Sequence, residues 1–231
     1  MAHLKRYAMP RFWPLAVKEK TWAVRPMPGP HQKDFCIPLQ IVVRDLLKYA
    51  ETGREAKQIV KSGKIFVDKK IRREEKFPVG LMDVIEIPEL KNHFRVLVDK
   101  NGLKLEKISE EEAGKKLCRI NGKRLIKKNV IQLNLHDGRN IIVRDEAKKA
   151  IVYKPGDSLL ISLPDQKILK HYRLEKSSPA LIIAGKNMGV KGVIKEVTTK
   201  KRMTEKSTVV LKTDSGEIET LKDYVMAGEI K

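Results

Sequence analysis

From Pro88 onward the chain runs in short apolar stretches separated by turn-forming clusters: Asp99-Lys100-Asn101-Gly102, His136-Asp137-Gly138-Arg139, Pro155-Gly156-Asp157 and Asp214-Ser215-Gly216. Such spacing leaves room for strands and hairpins but not for long helices. It predicts strands over Phe94–Val98, Leu103–Lys107, Val130–Leu135, Asn140–Arg144, Ser158–Leu163, Val193–Val197, Thr208–Lys212 and Glu217–Leu221, with one short helix capped by Ser109 and Glu112. Packed sheets need apolar faces. The 231 residues are 41% hydrophobic although 34% are charged and the formal net charge is +20, so the chain is expected to build real cores rather than remain a disordered basic tail. No apolar run approaches the roughly 20 residues of a membrane span. The start, MAHLKRYAMPRFW, has no apolar stretch followed by a cleavage site, and neither a membrane nor a secreted protein is expected.

Upstream of Pro88 the periodicity is helical. Leu39, Val42, Val43 and Leu46 fall at i, i+3, i+4 and i+7 behind Pro38, which predicts a helix ending near Tyr49 or Ala50. Thr52 with Glu55 forms a capping box for a second helix reaching about Ser62, with Gly63 at its C-cap. Its inner face holds Ala56, Ile59 and Val60; its outer face holds Arg54, Lys57 and Lys61. Strands Lys64–Val67 and Ile71–Arg73 around a tight Asp68-Lys69-Lys70 turn follow, then Asp83–Ile87.

The charge is unevenly placed. Residues 1–33 carry Lys5, Arg6, Arg11, Lys18, Lys20, Arg25 and Lys33 against Glu19 alone, together with five prolines and both tryptophans, Trp13 and Trp22. Proline at that density opposes regular structure, so residues 1–37 are expected to form an extended basic arm. Its aromatics either stack on unpaired bases or pin the arm to the body, and the residues leave both open. If the arm is separable, deleting residues 1–33 should weaken binding and leave the folded domains intact. A second basic block, Lys115–Lys128, has no acid; Leu117, Ile120, Leu125 and Ile126 are expected to anchor one face and leave the cations outside. A third runs over residues 185–212. Separate basic blocks point to a long polyanion rather than a small acidic ligand.

Catalytic signatures are missing: there is no phosphate-cradling G-x-x-x-x-G-K-[ST], no H-E-x-x-H and no G-x-S-x-G. Glu110-Glu111-Glu112 reads as a solvated helical turn. Cys36 and Cys118 stand 82 positions apart and read as reduced thiols rather than half of a zinc set. No enzyme activity, cofactor, metal or small-molecule substrate is expected.

Two segments resemble known families. GREAKQIVKSGKIFVDKKIRREEKFPVGLMDVIEI resembles the alpha-L RNA-binding motif of several ribosomal proteins, RNA-modifying enzymes and a tyrosyl-tRNA synthetase. The resemblance implies an RNA-facing surface on the second helix and hairpin, at Arg44, Arg54, Lys57, Lys61, Lys64, Lys69, Lys70, Arg72 and Arg73. Where that family often has Pro-Gly-Asp before the last strand, this chain has Val79-Gly80-Leu81-Met82-Asp83. ALIIAGKNMGVKGVIKEV resembles the KOW motif, with Gly185, Gly189 and Gly192 in a basic turn; this implies RNA contact by Lys186, Asn187, Gly189 and Lys191 on an SH3-like barrel.

Taken in order, the parts resemble the archaeal and eukaryotic family of small-subunit ribosomal protein four. The resemblance implies an α+β, multi-domain chain: an extended arm (1–37), an alpha-L helix–hairpin domain (38–90), a central mainly β domain (91–174) and a C-terminal SH3-like KOW barrel (175–231). It implies a structural ribosomal protein in the cytoplasm, bound to small-subunit ribosomal RNA beside neighbouring small-subunit proteins. Further contacts are expected from Lys5, Arg6, Arg11 and Trp13 in the arm and from Lys123 and Arg124 in the central block. The alternative is a KOW-bearing transcription or RNA-processing factor.

Overall fold

A computed structural model describes residues 3–127, 130–144, 152–199, 206–213 and 216–229. The chain is mostly β with few helices, and it divides into two compact units: Met1–Lys116 with Leu163–Asp165, and Leu117–Ser162 with Gln166–Lys231.

In the first unit, β1 (Leu4–Lys5) pairs with β2 (Trp22–Ala23), setting Leu4 opposite Ala23 and Lys5 opposite Trp22. β3 (Cys36–Pro38) leads into α1 (Leu39–Ile41), which widens into a π-type turn over Val42–Leu46. The Leu47 amide donates to the Val42 carbonyl and that of Tyr49 to Val43. Lys48, at φ 55°, then ends the helix before the expected Tyr49 or Ala50. α2 (Gly53–Lys61) begins at the expected box: Thr52 Oγ1 accepts from the Glu55 amide, and Glu55 Oε2 accepts from the amides of Glu51 and Thr52. Replacing Thr52 with alanine should cost about 1 kcal/mol, read as a lower urea midpoint with an unchanged slope. Gly63 at φ 79° closes the helix.

β4 (Phe66–Val67), β5 (Lys70–Ile71), β6 (Pro78–Gly80), β7 (Val84–Ile87), β8 (Asn92–Asp99) and β9 (Gly102–Lys107) follow. Five of them form an antiparallel sheet in the order β5-β4-β7-β8-β9, while β6 pairs with β3. The boundary expected at residue 90 falls inside that sheet. Val84–Ile87 is hydrogen-bonded along its length to Asn92–Arg95, so the hairpin after residue 91 shares a unit with the helix–hairpin segment. α3 (Glu110–Ala113) is the short helix expected from Ser109 and Glu112, and Ser109 Oγ accepts from the Glu112 amide.

The N-terminal segment is not a detachable arm. Leu4 and Trp13 belong to the main core with Ile37, Leu39, Val43 and Val60, and Phe12 and Leu15 pack on it. The Phe12 carbonyl accepts from Leu103, and the Met27 amide donates to Lys76. Prolines keep the segment irregular, as expected, but irregular backbone can pack when its few large apolar side chains reach a core. The expectation that residues 1–33 can be removed without unfolding anything is therefore corrected.

In the second unit, β10 (Lys115–Lys127, whose first two residues belong to the first unit), β11 (Val130–Leu135), β12 (Asn140–Arg144), β13 (Ser158–Ser162) and β14 (Ile168–Tyr172) make an antiparallel-paired sheet in the order β12-β11-β10-β13-β14. β15 (Pro179–Ile182), β16 (Lys191–Thr198), β17 (Thr208–Thr213), β18 (Gly216–Leu221) and β19 (Val225–Ala227) make a second, in the order β18-β17-β16-β15-β19. The expected boundary at residue 174 does not separate them into two units. Leu174 lies in the core of the second sheet while its amide donates to Asp157 at the start of β13, and Arg119 on β10 donates to the carbonyls of Lys222 and Asp223.

Candidate nucleic-acid interface

The helix–hairpin surface is built from the cap outward. The Asp68-Lys69 turn places both residues at positive φ, 52° and 63°, a conformation that side-chain-bearing residues adopt at a cost. Asp68 is held there from three sides. Its amide donates to the Val84 carbonyl, its Oδ1 accepts from the Val84 amide at 3.0 Å, and its Oδ2 accepts from Lys116 Nζ at 2.7 Å. Lys69 follows it in the turn, its ammonium 2.8 Å from the buried Glu86 carboxylate.

The nine cations expected on this surface fall into two groups. Five are engaged within the protein. Arg44 is forked onto Asp45, Lys57 meets Glu75 at 2.8 Å, Lys64 meets Glu89 at 3.0 Å, and Lys69 meets buried Glu86 at 2.8 Å. Arg72 lies over the Phe77 ring, 4.3 Å from its centroid. The hydrogen bond to Glu75 raises the Lys57 pKa; burial pushes Glu75 upward, yet the Lys57 contact leaves it below the usual carboxylate range. The other four, Arg54, Lys61, Lys70 and Arg73, are exposed and make no ion pair with any described residue.

The N-terminal segment sorts its cations and aromatics differently from the sequence expectation. Lys5 and Arg11 are exposed, but Arg6 is buried beside Glu19 at 3.5 Å. Trp13 is only 2% exposed and donates its indole N–H to the Cys36 carbonyl at 2.8 Å, so its face is a core surface and not a platform for a base. The outward aromatics are Tyr7 at 91% and Trp22 at 56% exposure, with Phe35 also exposed. All three belong to the arm aromatics open to base stacking, of which Trp13 alone is expected from sequence as a contact. The signal that singles out Trp22 is its pairing opposite Lys5, which sets an indole and an ammonium on the same outer face of a two-stranded ribbon.

The basic block on β10 departs most from expectation. Lys116 is fully buried, and Arg119 is held on Asp223. Lys123 is half-buried and donates to the Tyr153 carbonyl at 3.2 Å, while Arg124 is exposed. Leu125 and Ile126, expected to anchor the strand, are exposed instead. The strand is irregular there, with register shifts between Ile120 and Gly122 and between Leu125 and Lys127. Lys128 lies outside the described residues.

In the C-terminal sheet, the glycine turn runs from Gly185 at φ 92° to Gly189 at φ 83°. The Gly189 amide donates to the Ile182 carbonyl, and the Ile182 amide to Val190. Lys186 and Lys191 are exposed at its two ends, with Asn187 half-exposed between them. A Cβ on Gly192 would press into the Lys212 carbonyl. Of the third basic block, Lys200, Lys201 and Arg202 lie outside the described residues, as does the expected Asp214-Ser215 turn.

Ligand atoms of Cys118, His136 and Asp137 lie within 4.8 Å of one another. Their arrangement does not favour a cation. The Cys118 thiol donates to Asp137, the Arg139 guanidinium sits 3.2 Å from the same carboxylate, and His136 Nδ1 accepts from the Arg119 amide. A metal there would face the arginine charge and have three protein ligands where a structural zinc takes four. Cys36 is pushed up to about 12 by burial and by the charges of Asp83 and Asp34, which makes it an inert thiol. Among the described residues, no helix is long and apolar enough to cross a membrane.

Residues 37–85, which carry α2 and the basic hairpin, match the model of the S4 domain, and this places the chain among S4-domain proteins. Residues 2–34 match the RS4NT domain, and residues 90–168 match the ribosomal family S4e. Small ribosomal subunit protein eS4 of Methanococcus vannielii is 48% identical over 228 residues, covering 96% of this chain and 92% of the relative; its counterpart from Methanothermobacter thermautotrophicus is 45% identical over 225 residues, covering 96% and 90%. The crystal structure of 30S ribosomal protein S4e from Thermoplasma acidophilum superposes with a TM-score of 0.71 at 35% identity, covering 84% of this chain and 95% of that one. The chain belongs to ribosomal protein family S4e.

Proposed function

We propose that this protein is a structural component of the small ribosomal subunit and binds ribosomal RNA through its phosphate backbone and shape, without chemistry of its own. The observation that carries this reading is the set Arg54, Lys61, Lys70 and Arg73. Four exposed cations on one helix and its hairpin make no close ion pair with any described residue and stand ready to meet phosphates. Arg44, Lys57, Lys64, Lys69 and Arg72 border them and can exchange carboxylate or aromatic partners for RNA. Lys5 with Trp22, and Arg11, supply a second contact. Arg124 supplies a third, and Lys186, Asn187, Gly189 and Lys191 a fourth on residues 175–231, which we read as an SH3-like KOW barrel. Relatives named as small-subunit proteins support the ribosome as the location, with neighbouring small-subunit proteins as further partners.

The test is a salt titration of affinity for small-subunit ribosomal RNA. Each phosphate contact contributes about 0.9 to the slope of log K against log salt for duplex RNA, by analogy with B-DNA. Changing Arg54, Lys61, Lys70 and Arg73 together to glutamine should reduce that slope by about 3 to 4 and leave the urea midpoint unchanged. An affinity insensitive to salt, or sedimentation with RNA polymerase instead of small subunits after a high-salt wash, would replace this reading with that of a transcription factor.

A further inference from the structure

The C-terminal sheet leaves a cleft of about 350 Å³ between the glycine turn and its terminal strand β18. That volume lies at the small end of the roughly 300–1,000 Å³ typical of ligand pockets, the scale of one nucleotide. Its walls are fixed by main-chain hydrogen bonds. The Ile183 amide donates to the Tyr224 carbonyl at 2.8 Å, and the Lys222 amide to Ser207 at 2.9 Å. Gly185 lies against the Tyr224 ring so closely that a Cβ would come within 3.3 Å of it. The short 3-10 turn Lys222–Tyr224 therefore presents the ring in a set position.

The polar residues lining this cleft are Lys186, Asn187, Thr208, Glu219, Thr220 and Tyr224. None of their side-chain polar groups is hydrogen-bonded to another described residue. One cation, one carboxylate, one amide, two hydroxyls and one aromatic ring line a single cleft and make no side-chain hydrogen bond to a described residue. A phosphate-only site would exclude the carboxylate, because Glu219 repels a phosphate. A base-binding site uses it: the ring supplies a stacking face and the carboxylate an acceptor pair for a base edge.

Resting on the reading of the protein as an RNA binder, we propose that this cleft takes a single unpaired guanine. Guanine alone among the four bases presents two adjacent donors, N1–H and N2–H, on its Watson–Crick edge, and both can reach the two oxygens of one carboxylate. Adenine and cytosine each set a ring acceptor beside their donor, and uracil flanks its one donor with two carbonyl oxygens; all three would turn a lone pair toward Glu219. Lys186 at the mouth neutralises the adjoining phosphate, and Tyr224 stacks on the base. The glycine turn then acts as a base reader as well as a backbone contact.

The full-length protein is titrated with the pentamers rUUGUU, rUUAUU and rUUUUU at 50 mM salt, following affinity by anisotropy and amide shifts by NMR. The guanine pentamer should bind roughly tenfold more tightly than the other two, with shifts centred on Gly185, Thr220 and Tyr224. In Glu219→Gln the preference should fall below about threefold, while rUUUUU binds as before or slightly more tightly. Equal affinities for the three pentamers, a preference that survives in Glu219→Gln, or shifts confined to other residues would each overturn the proposal. The salt titration on ribosomal RNA reads the general function separately. Its slope rests on the helix–hairpin cations and does not depend on Glu219.

Discussion

Replacing Lys116 with methionine should lower the unfolding free energy of the N-terminal unit by about 3–5 kcal/mol, the cost of breaking a buried ion pair by removing one partner. The Lys116 ammonium is fully buried and donates to Asp68 at 2.7 Å and to Asp83 at 2.6 Å. Asp83 is also met by His31 Nε2, 2.9 Å from each of its oxygens, and accepts from the Gly80 amide at 2.9 Å. Methionine fills the volume but leaves two buried carboxylates without their shared cation.

The deficit should depend on pH with a definite sign. Burial alone would push Asp83 up, but His31 and Lys116 outweigh it and hold the carboxyl well below its usual range. A depressed folded-state pKa gives stability that is present above the unfolded value, near 4, and lost as pH falls below it. With Lys116 removed, one of the two opposing charges is lost and the folded-state pKa of Asp83 rises, so the variant has less of this stability to lose as acid protonates the carboxyls. The gap between the two proteins should be widest at pH 7 and narrow toward pH 4, in urea titrations followed by circular dichroism. A constant gap would show that Lys116 acts only by filling space.

Trp13→Ala should be comparably damaging, at about 3–5 kcal/mol. The substitution empties a site in a core shared with Leu4, Ile37 and Leu39 and leaves the Cys36 carbonyl without its indole donor. Thermal and urea midpoints both report it, and deletion of residues 1–33 should unfold the same unit outright. Trp22→Ala is the control. Its ring is outward, so RNA affinity should weaken while the midpoint holds within about 0.5 kcal/mol, as for other surface changes.

What could be read from sequence was what local chemistry decides. The Thr52–Glu55 box, the Gly63 cap, the tight turn at Asp68-Lys69 and the hairpin around Asn101-Gly102 depend on residues within a few positions of one another, and each stands where expected. The misses share a different cause. The β3–β6 pair joins Cys36–Pro38 to Pro78–Gly80, two proline-bearing runs too short to alternate. Lys116 looked like one more surface cation because the acids that bury it are Asp68 and Asp83, 48 and 33 residues away. Trp13 looked like an arm aromatic because nothing local announces a partner at Cys36. The candidate interface was legible as a list of cations, but not in its division between cations held in close ion pairs or on a ring and those without such a contact among the described residues.

The glycine before Asp83 illustrates both halves. Gly80 marked the segment as motif-like, and a Cβ there would collide with the His31 ring, which packs directly on it. The His31–Asp83–Lys116 junction thus joins three pieces of chain made at quite different times during synthesis. Asp83 emerges with His31 already available, yet its second counter-charge follows only when residue 116 has been added. Until then the unit holds two carboxylates it cannot comfortably bury, so its cooperative closure waits on the middle of the chain. A nascent protein halted with Lys116 still inside the ribosomal tunnel should remain protease-sensitive, and one extended until that lysine has emerged should become resistant in a single step.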